Sequence, residues 1–307
     1  MERPARPRCV ISVDLEEWSD ARIAGVSLDE RGDLSPSLGL AVARLLDLFE
    51  RTGARATFFV LGRVARRYPD LVQRIAAGHE IASHGDSHTS FVELGPEKAA
   101  DELRTSVDLL AELSRQEIVG FRAPNWSLGG CPPWPTSLLA SHGIRYDSSI
   151  VPRAGLAFVR GGKSTPRGPH LICESPRLWE FPPSVVQLPG CSLPAAGGAF
   201  MRFLPLSIAL RTLARDRDAG LKPHVHIRPW ELSPPERAPI GAIRSAMMFA
   251  GCSTVARKLE TVLEAYQAVP IVDCWHELEG VESRPPADAS SHVQAGVGES
   301  AREWTTR

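Results

Sequence analysis

Short apolar runs alternate with amphipathic helical segments along most of this chain, and this alternation limits the folds open to it. Residues 56–61, Ala-Thr-Phe-Phe-Val-Leu, lack a polar face, as in a parallel strand that is buried on both sides. Residues 37–52 place Leu38, Val42 and Leu45 on one face of an amphipathic helix. Strands that alternate with helices predict an α/β protein with a parallel sheet, either open or closed into a barrel.

Five polar side chains lie where the predicted strands end. Asp14 and Glu16 follow the first predicted strand, and His84 follows the third. Arg122 ends the fourth predicted strand, and Asp147 follows the fifth. Functional groups of parallel α/β folds gather at the carboxyl ends of the strands. We therefore expect these five side chains to converge on one rim of the sheet.

His84 and His88 stand four residues apart directly after the third predicted strand. On a helical turn or a tight loop, this spacing puts two side chains about 5 to 6 Å apart, close enough to bind one ion. The spacing alone also fits ordinary polar residues at a helix start, so a carboxylate from Glu16 is needed to complete the pattern. Two histidines and one carboxylate leave a coordination position open, as in catalytic zinc sites. Since Gly85 and Asp86 follow His84, the metalloprotease pattern His-Glu-x-x-His is absent.

Charge, apolar runs and cysteine spacing exclude several classes of partner and of structural site. Lys plus Arg (35) nearly balance Asp plus Glu (36), and a net charge of −1 gives no electrostatic basis for binding nucleic acid or an anionic membrane. No apolar run approaches the roughly 20 residues of a membrane span, and the first residues show no signal-peptide apolar region, so we expect a cytoplasmic protein. The six cysteines form no C-x-x-C pair, which favours neither a disulfide framework nor a cysteine zinc site.

The second half of the chain is predicted to continue the same domain after one irregular insertion. Periodicity fades over residues 151–198, whose Pro and Gly content fits a binding loop and surface padding equally well. Regular structure then returns in a helix at 205–219, a strand at 222–228, a helix at 253–266 and a last strand at 270–272. We expect one domain over residues 1–281 and a disordered tail over 282–307, which lacks apolar spacing.

Longer motifs add a family resemblance to this pattern. At the expected rim the motifs are Asp14-Leu15-Glu16, Ser83-His84-Gly85-Asp86-Ser87-His88, Phe121-Arg122-Ala123-Pro124 and Tyr146-Asp147-Ser148-Ser149. They resemble the successive motifs of the polysaccharide deacetylases, which are metal-dependent carbohydrate de-N-acetylases related to nodulation-factor, chitin and peptidoglycan deacetylases. Further segments are similar to the branch found in bacterial exopolysaccharide loci, namely residues 56–62, 67–69, 78–85, 180–183, 197–198 and 229–231.

The resemblance extends from about residue 10 to residue 272 and has consequences for fold and activity. It implies a distorted parallel (β/α) barrel of about seven strands. It also implies hydrolysis of an amide C–N bond, with removal of N-acetyl groups from amino sugars of a polysaccharide or a glycan precursor. A divalent metal ion, with zinc as the first choice, is the implied cofactor. The implied partner is a glycan or amino-sugar substrate. The balanced charge and the short apolar runs predict no nucleic acid partner and no stable membrane insertion.

By position, the resemblance makes Asp14 the general base and makes Glu16, His84 and His88 the metal ligands. Many relatives carry an Asp ligand directly after the base, whereas the order here is Asp-Leu-Glu. Residues i and i+2 of a strand share a face, so Glu16 is placed to join Asp14. Glu17 is the second choice of ligand, and its plain interpretation is a solvated loop acid.

Arg122 and Asp147 are expected to support the base. Arg122 would pair with Asp14 and keep it ionised. An arginine in a purely structural salt bridge would look the same in the sequence. Asp147 would either orient a group of the site or cap the following turn, and the two interpretations have equal weight.

Arg228 departs from the family pattern. Relatives place a histidine before Pro-Trp-Glu, where it is the general acid that protonates the departing amine. A guanidinium, with a pKa above about 12, is a poor proton donor. His226 shares a strand face with Arg228, displaced by about 6.6 Å, and is the expected substitute acid. His224 lies one step further along the same strand.

Two alternatives to an active deacetylase stay open. Because of Arg228, the chain could be a catalytically impaired or inactive glycan-binding protein that kept the metal and the barrel. A weaker alternative is a glycosidase that pairs Asp14 with Glu16 or Glu17. Three tryptophans could present faces to sugar rings or anchor the core, namely Trp126, Trp179 and Trp230.

Overall fold

The computed structural model describes residues 5–21, 24–25, 38–152, 165–188, 191–235, 238 and 240–280, and it contains the predicted alternation of strands and helices. Its strands are β1 (Arg8–Leu15), β2 (Thr57–Val60), β3 (Glu80–Ser83), β4 (Gly120–Phe121), β5 (Tyr146–Asp147), β6 (His170–Glu174), β7 (Arg177–Glu180), β8 (Val186–Leu188), β9 (Cys191–Leu193), β10 (His224–Ile227) and β11 (Gln267–Val269). Its α-helices are α1 (Leu38–Thr52), α2 (Gly62–Arg67), α3 (Pro69–Ala76), α4 (Phe91–Leu94), α5 (Pro96–Ser114), α6 (Trp134–Ser141), α7 (Gly198–Phe203), α8 (Leu206–Asp218), α9 (Pro229–Leu232), α10 (Ala242–Phe249), α11 (Val255–Ala265) and α12 (Ile271–Glu279).

The main sheet is a distorted parallel barrel. Within the described residues its strand order is β10-β1-β2-β3-β4-β5-β7-β6, and β11 also pairs with β1. The path from β10 to β7 contains seven parallel strands, and β6 joins β7 in antiparallel orientation. On the other edge of β10, Ser184 N donates to His224 O at 3.1 Å and Gly197 forms a bridge to His226. The predicted barrel of about seven strands is therefore confirmed.

Along each strand, side chains alternately face the surrounding helices and the barrel interior. On β1, Ile11 packs in the largest hydrophobic cluster, which joins the sheet to α1, α3 and α11. Ser12 and Asp14 are also buried, but they make polar contacts inside the barrel. β10 repeats the pattern, with Val225 in the cluster and His224 in the interior. Because successive side chains of a strand point to opposite faces, packing the apolar set on the helices turns the polar set inward.

Helix α1 shows how the helices cover the barrel. Its buried side chains follow helical spacing and are Leu38, Ala41, Val42, Leu45, Leu48 and Phe49. Gly53, with φ of 65°, follows the last helical residue in the left-handed conformation that often ends a helix. None of the helices in the described part of the chain has both the length and the apolarity that a membrane span requires.

Two segments differ from the sequence-based expectation. The predicted strand at 270–272 is wrong, because β11 ends at Val269 and α12 begins directly after Pro270. Proline has no N–H for a strand ladder, whereas it is well suited to a helix start. The described part of the insertion at 151–198 contains two antiparallel pairs, β6 with β7 and β8 with β9. The predicted tail at 282–307 lies outside the described residues.

Candidate metal centre

Glu16, His84 and His88 bring one ligand atom each to a single buried point at the carboxyl end of the sheet. These atoms all lie within 4.8 Å of one another. Glu16 Oε2 is 2.9 Å from His88 Nε2 and 3.7 Å from His84 Nε2. Tetrahedral ligands with bonds of about 2 Å are about 3.3 Å apart, a value between the two distances. The three residues therefore fit a divalent ion.

A tight loop, rather than a helical turn, joins the two histidines. Gly85 and His88 adopt left-handed backbone conformations with φ of 79° and 67°. The loop is tied to α5, because Ser87 donates from its backbone N and its hydroxyl to Glu102, at 3.1 Å and 2.5 Å. A non-glycine residue with positive φ is uncommon and often marks a functional position. The loop thus turns His88 back toward the barrel.

The tautomer of His84 suits a metal ligand. Its Nδ1 donates to the backbone carbonyl of Arg122 at 2.7 Å, since a carbonyl oxygen only accepts. The proton is therefore on Nδ1, and the lone pair of Nε2 faces Glu16. Metal-binding histidines commonly use their second nitrogen in this way.

Asp14 and Arg122 form a rigid ion pair beside the three ligands. Arg122 Nη1 donates to Asp14 Oδ1 at 2.6 Å, and both residues are buried. Arg122 also donates to the Ser148 carbonyl at 2.9 Å and the Ser148 hydroxyl at 2.8 Å. Its Cζ lies 4.1 Å from the ring centre of Phe59 and 4.2 Å from that of Trp126. Burial would raise the pKa of Asp14, but Arg122 above all lowers it below its ordinary value, which keeps the carboxylate ionised.

Arg228 lies against a candidate metal ligand. Its Nε is 2.5 Å from Glu16 Oε1. Burial would raise the pKa of Glu16, but Arg228 and His88 hold it well below its ordinary value. Burial lowers the pKa of Arg228, whereas Glu16 and Glu231 raise it above its usual range. Arg228 therefore stays charged and donates no proton to an amine.

His224 belongs to the interior hydrogen-bond network. Its Nδ1 donates to the Pro182 carbonyl at 3.1 Å, and its Nε2 lies 2.8 Å from the Ser12 hydroxyl. Burial and then Arg122 lower the pKa of His224 well below its ordinary value. A neutral imidazole with both nitrogens engaged is a structural residue, which removes His224 as a substitute acid.

His226 is placed differently from His224. It is 4% exposed, and its Nδ1 has no hydrogen-bond partner among the described residues. Its ring meets the Trp126 ring edge to face at 5.0 Å. Gly197 and Gly198 lie against the imidazole, since a Cβ at Gly198 would be 2.9 Å from Nε2. Burial lowers the pKa of His226 to about 3, so the side chain is neutral at physiological pH.

Asp147 lies outside the ligand group and supports the neighbouring loops. Its Oδ1 accepts a hydrogen bond from the Ser149 hydroxyl, which in turn accepts from Ala123 N at 2.7 Å. Asp147 faces Glu180 across paired strands. Burial raises the pKa of Asp147 to about 6, and burial together with Asp147 raises that of Glu180 well above its ordinary value. Of the two predicted roles, the contacts favour ordering the turn that follows β5.

The other sequence candidates pack in the surroundings of the site. Glu17 accepts from the Tyr68 hydroxyl at 3.1 Å and is absent from the ligand group, so Glu16 is the better assignment. Trp126 covers Arg122, and Trp230 is buried in a separate apolar cluster. Trp179 donates from its indole N–H to a glutamate of α12 at 2.5 Å. All three tryptophans therefore contact protein groups.

Sequence reasoning assigned no role to three residues that shape the site, namely Phe59, Ser148 and Glu180. Phe59 sits in an apolar run that gave no sign of a cation contact. Ser148 stands inside a motif of the family resemblance, between Asp147 and the turn. Glu180 ends β7, and the rule that singled out Asp147 as a polar residue at a strand end would have found it as well.

Two family profiles match adjoining parts of the chain. Residues 34–131 match the profile described as polysaccharide deacetylase, and residues 148–276 match a domain of unknown function, DUF3473. The peptidoglycan deacetylase of Helicobacter pylori is 31% identical over 127 residues, which cover 40% of this chain and 42% of that protein. The chain thus spans less than half the length of this curated relative.

Two solved structures share the fold. A protein assigned as a polysaccharide deacetylase from Mycobacterium smegmatis superposes with a TM-score of 0.55 at 21% identity, covering 94% of this chain and 98% of its own. A protein assigned likewise from Pseudomonas aeruginosa gives a TM-score of 0.57 at 16% identity, covering 91% and 93%. At sequence identities of 21% and 16%, the two structures support the fold and not a function. The chain is therefore similar to the polysaccharide deacetylases over residues 34–131 and to DUF3473 over residues 148–276.

Proposed function

We propose that this protein is a metal-dependent hydrolase that removes N-acetyl groups from amino sugars of a polysaccharide or a glycan precursor. The observation that carries the proposal is the buried group Glu16, His84 and His88 beside the Asp14–Arg122 ion pair. A cation site next to a carboxylate that stays ionised is the arrangement that water activation requires.

The ligand group defines the cofactor that we propose. Glu16, His84 and His88 would hold a divalent ion, and two histidines with one carboxylate favour zinc. When bound, the ion would polarise the acetyl carbonyl and lower the pKa of water.

Asp14 is the proposed general base. It accepts the proton of the attacking water, and Arg122 keeps it ionised and correctly oriented. Phe59, Trp126 and Ser148 fix Arg122, so the base is held without reorganisation during the reaction.

His226 is the proposed proton donor to the departing amine. Its unpartnered Nδ1 supports this role, whereas both nitrogens of His224 are engaged. Because burial lowers its pKa to about 3, His226 begins neutral. It would gain the proton that Asp14 takes from water and then pass it to the amine nitrogen, so that one proton moves for each amide bond broken.

Metal analysis combined with an acetate-release assay tests the proposal. We expect purified protein to bind one divalent ion and to release acetate from N-acetylglucosamine oligomers, with loss of the activity in chelator. Protein that binds no divalent ion would contradict the proposal. Acetate release that survives complete metal removal would contradict it too.

A catalytically impaired glycan-binding protein is the second candidate. It is favoured by Arg228, which stands where the family resemblance expects the acid and stays charged. Under this alternative, Arg228→His and wild type both release no acetate, while calorimetry still detects binding of the sugar oligomers. An increase in a weak wild-type activity on Arg228→His would favour the deacetylase.

The proposal also includes a cytoplasmic location and a role in exopolysaccharide synthesis. The location is supported by the described cysteines, which are unpaired thiols at Cys9, Cys131, Cys173, Cys252 and Cys274. The role rests on the resemblance of the motifs. Fractionation of producing cells tests the location, and the acetyl content of exopolysaccharide from a deletion strain tests the role.

A further inference from the structure

The two carboxylate oxygens of Glu16 face different groups. Oε2 faces the histidines, at 2.9 Å from His88 Nε2 and 3.7 Å from His84 Nε2. Oε1 faces Arg228, at 2.5 Å from Nε. Glu16 is 1% exposed, so protein groups make up its surroundings. The carboxylate therefore has one oxygen inside the ligand group and one oxygen outside it.

Arg228 is held in place beside Oε1. Its backbone N–H donates to Glu231 Oε2 at 3.1 Å, which ties it to the first turn of α9. Its Nη1 lies over Gly198, at 3.6 Å from the position that a Cβ would occupy. This is an ordinary packing distance, so the backbone at Gly198 borders the guanidinium on one side.

The two arginines of the site, Arg122 and Arg228, form ion pairs with different acids. Arg122 pairs with Asp14, donates to Ser148 and lies 3.4 Å from His224 Nε2 through its Nη2. Among the described residues, the ion pair of Arg228 is with Glu16. Each carboxylate of the site thus has its own guanidinium, although the family resemblance expects only the first of these arginines.

We infer that Arg228 is a positioning residue that restricts Glu16 to coordination through one oxygen. The inference rests on the proposed function, because it requires Glu16, His84 and His88 to bind a divalent ion. Coordination through both oxygens would disturb an ion pair in which the Glu16 side chain is 1% exposed and that of Arg228 is 20% exposed, and separating charges that are largely shielded from water is unfavourable. Three protein atoms then occupy three positions of a tetrahedral ion and leave the fourth open.

Cobalt substitution reads the coordination number directly. Four-coordinate Co²⁺ absorbs visible light much more strongly than five-coordinate Co²⁺. We expect metal-stripped wild type, titrated with Co²⁺ alone, to give the strong four-coordinate spectrum. In Arg228→Met both oxygens of Glu16 become available, so the absorption per bound Co²⁺ should fall about twofold or more.

Two further variants separate positioning from a general loss of charge. Arg228→Lys retains a cation that can reach Oε1, so the four-coordinate spectrum should be restored. Arg63 is a guanidinium close enough to influence Glu16, but its ion pair is with Asp20. Arg63→Met should therefore leave the Co²⁺ spectrum unchanged.

The possible outcomes distinguish the inference from the proposed function. An identical Co²⁺ spectrum in wild type and Arg228→Met overturns the inference and leaves the metal site standing. If Arg228→Met does not fold, the Co²⁺ spectrum of the wild type is the test by itself. A five-coordinate wild-type spectrum overturns the inference. A wild type that takes up no Co²⁺ overturns the proposed metal site and the inference together.

Discussion

Arg122 Nη1 and Asp14 Oδ1 meet at 2.6 Å inside the barrel, although 108 residues separate them in the chain. The ion pair is buried, and it joins β1 to the residue directly after β4, two strands that are not neighbours in the sheet. Its geometry is set by the barrel, and so is the protonation state of the proposed base.

Breaking this pair should cost stability as well as activity. Arg122→Met leaves Asp14 buried without its guanidinium, so we expect the free energy of unfolding to fall by about 3–5 kcal/mol. Urea denaturation at neutral pH measures the change. The double variant Arg122→Met, Asp14→Asn removes both charges and should recover part of the loss. Simple additivity of the two single variants would show that the residues are not coupled.

Substitution of His88 should weaken metal binding, whereas substitution of Asp14 should lower activity without loss of the metal. His88→Ala removes one of the three proposed ligands, so we expect zinc affinity to fall about 100-fold or more, measured by competition with a chelating dye. Asp14→Asn leaves the ligands in place and should retain zinc, while acetate release falls about 10²–10⁴-fold. Full activity in Asp14→Asn would exclude Asp14 as the base.

His226 should be required for turnover. We expect His226→Ala to lower acetate release about 100-fold or more, because the departing amine then lacks its proposed proton donor. Steady-state kinetics with N-acetylglucosamine oligomers measure the change. His142 is an exposed histidine directly after α6, and within the described part of the chain its ring hydrogen-bonds to Ser141 and Leu138, so His142→Ala provides the control. An unchanged rate in His226→Ala would rule out its acid role.

The stability of the protein should depend on pH through Glu80. Burial raises its pKa from 4.5 to about 7, although hydrogen bonds from Thr57 and Tyr146 lower it. The unfolded chain therefore loses the proton first, so this contribution to stability falls as pH rises from about 4.5 to about 7 and is constant above.

Glu80→Gln should remove this dependence, which amounts to about 3 kcal/mol over that range. The test compares the free energy of unfolding in urea for wild type and variant at about pH 5, 6, 7 and 8. Parallel curves for the two proteins would show that Glu80 is not the group responsible.

Gly197 should tolerate no side chain. A Cβ there would collide with the carbonyl oxygen and Nδ1 of His226, and a backbone atom cannot move aside cheaply. We expect Gly197→Ala to lower the free energy of unfolding by about 1–3 kcal/mol, measured by urea denaturation. A Cβ at Gly78 would meet no heavy atom within 4 Å, so Gly78→Ala serves as the matched control. If the two variants are equally stable, a side chain at position 197 does not collide with His226.

Local patterns in the sequence predicted much of the fold. The apolar run at 56–61 and the stripe that includes Leu38 and Val42 correspond to β2 and α1, because strand and helix periodicity depend on neighbouring residues. The strand at 270–272 was mispredicted, because an apolar pair after Pro270 fits a strand end and a helix start equally well. The strands β6 to β9 were missed, because short hairpins lack a continuous apolar run.

Local patterns were enough to identify the candidate ligands. His84 and His88 are close in the chain, and Glu16 directly follows a predicted strand. The pairing of the charged groups, in contrast, depends on the folded barrel. Arg228 lies on Glu16 and His224 lies on Ser12 across more than two hundred residues, and such contacts depend on strand register and side-chain direction in the closed barrel. No local pattern encodes those distances, so the arginine at position 228 suggested a missing acid, whereas the fold places it beside a candidate metal ligand.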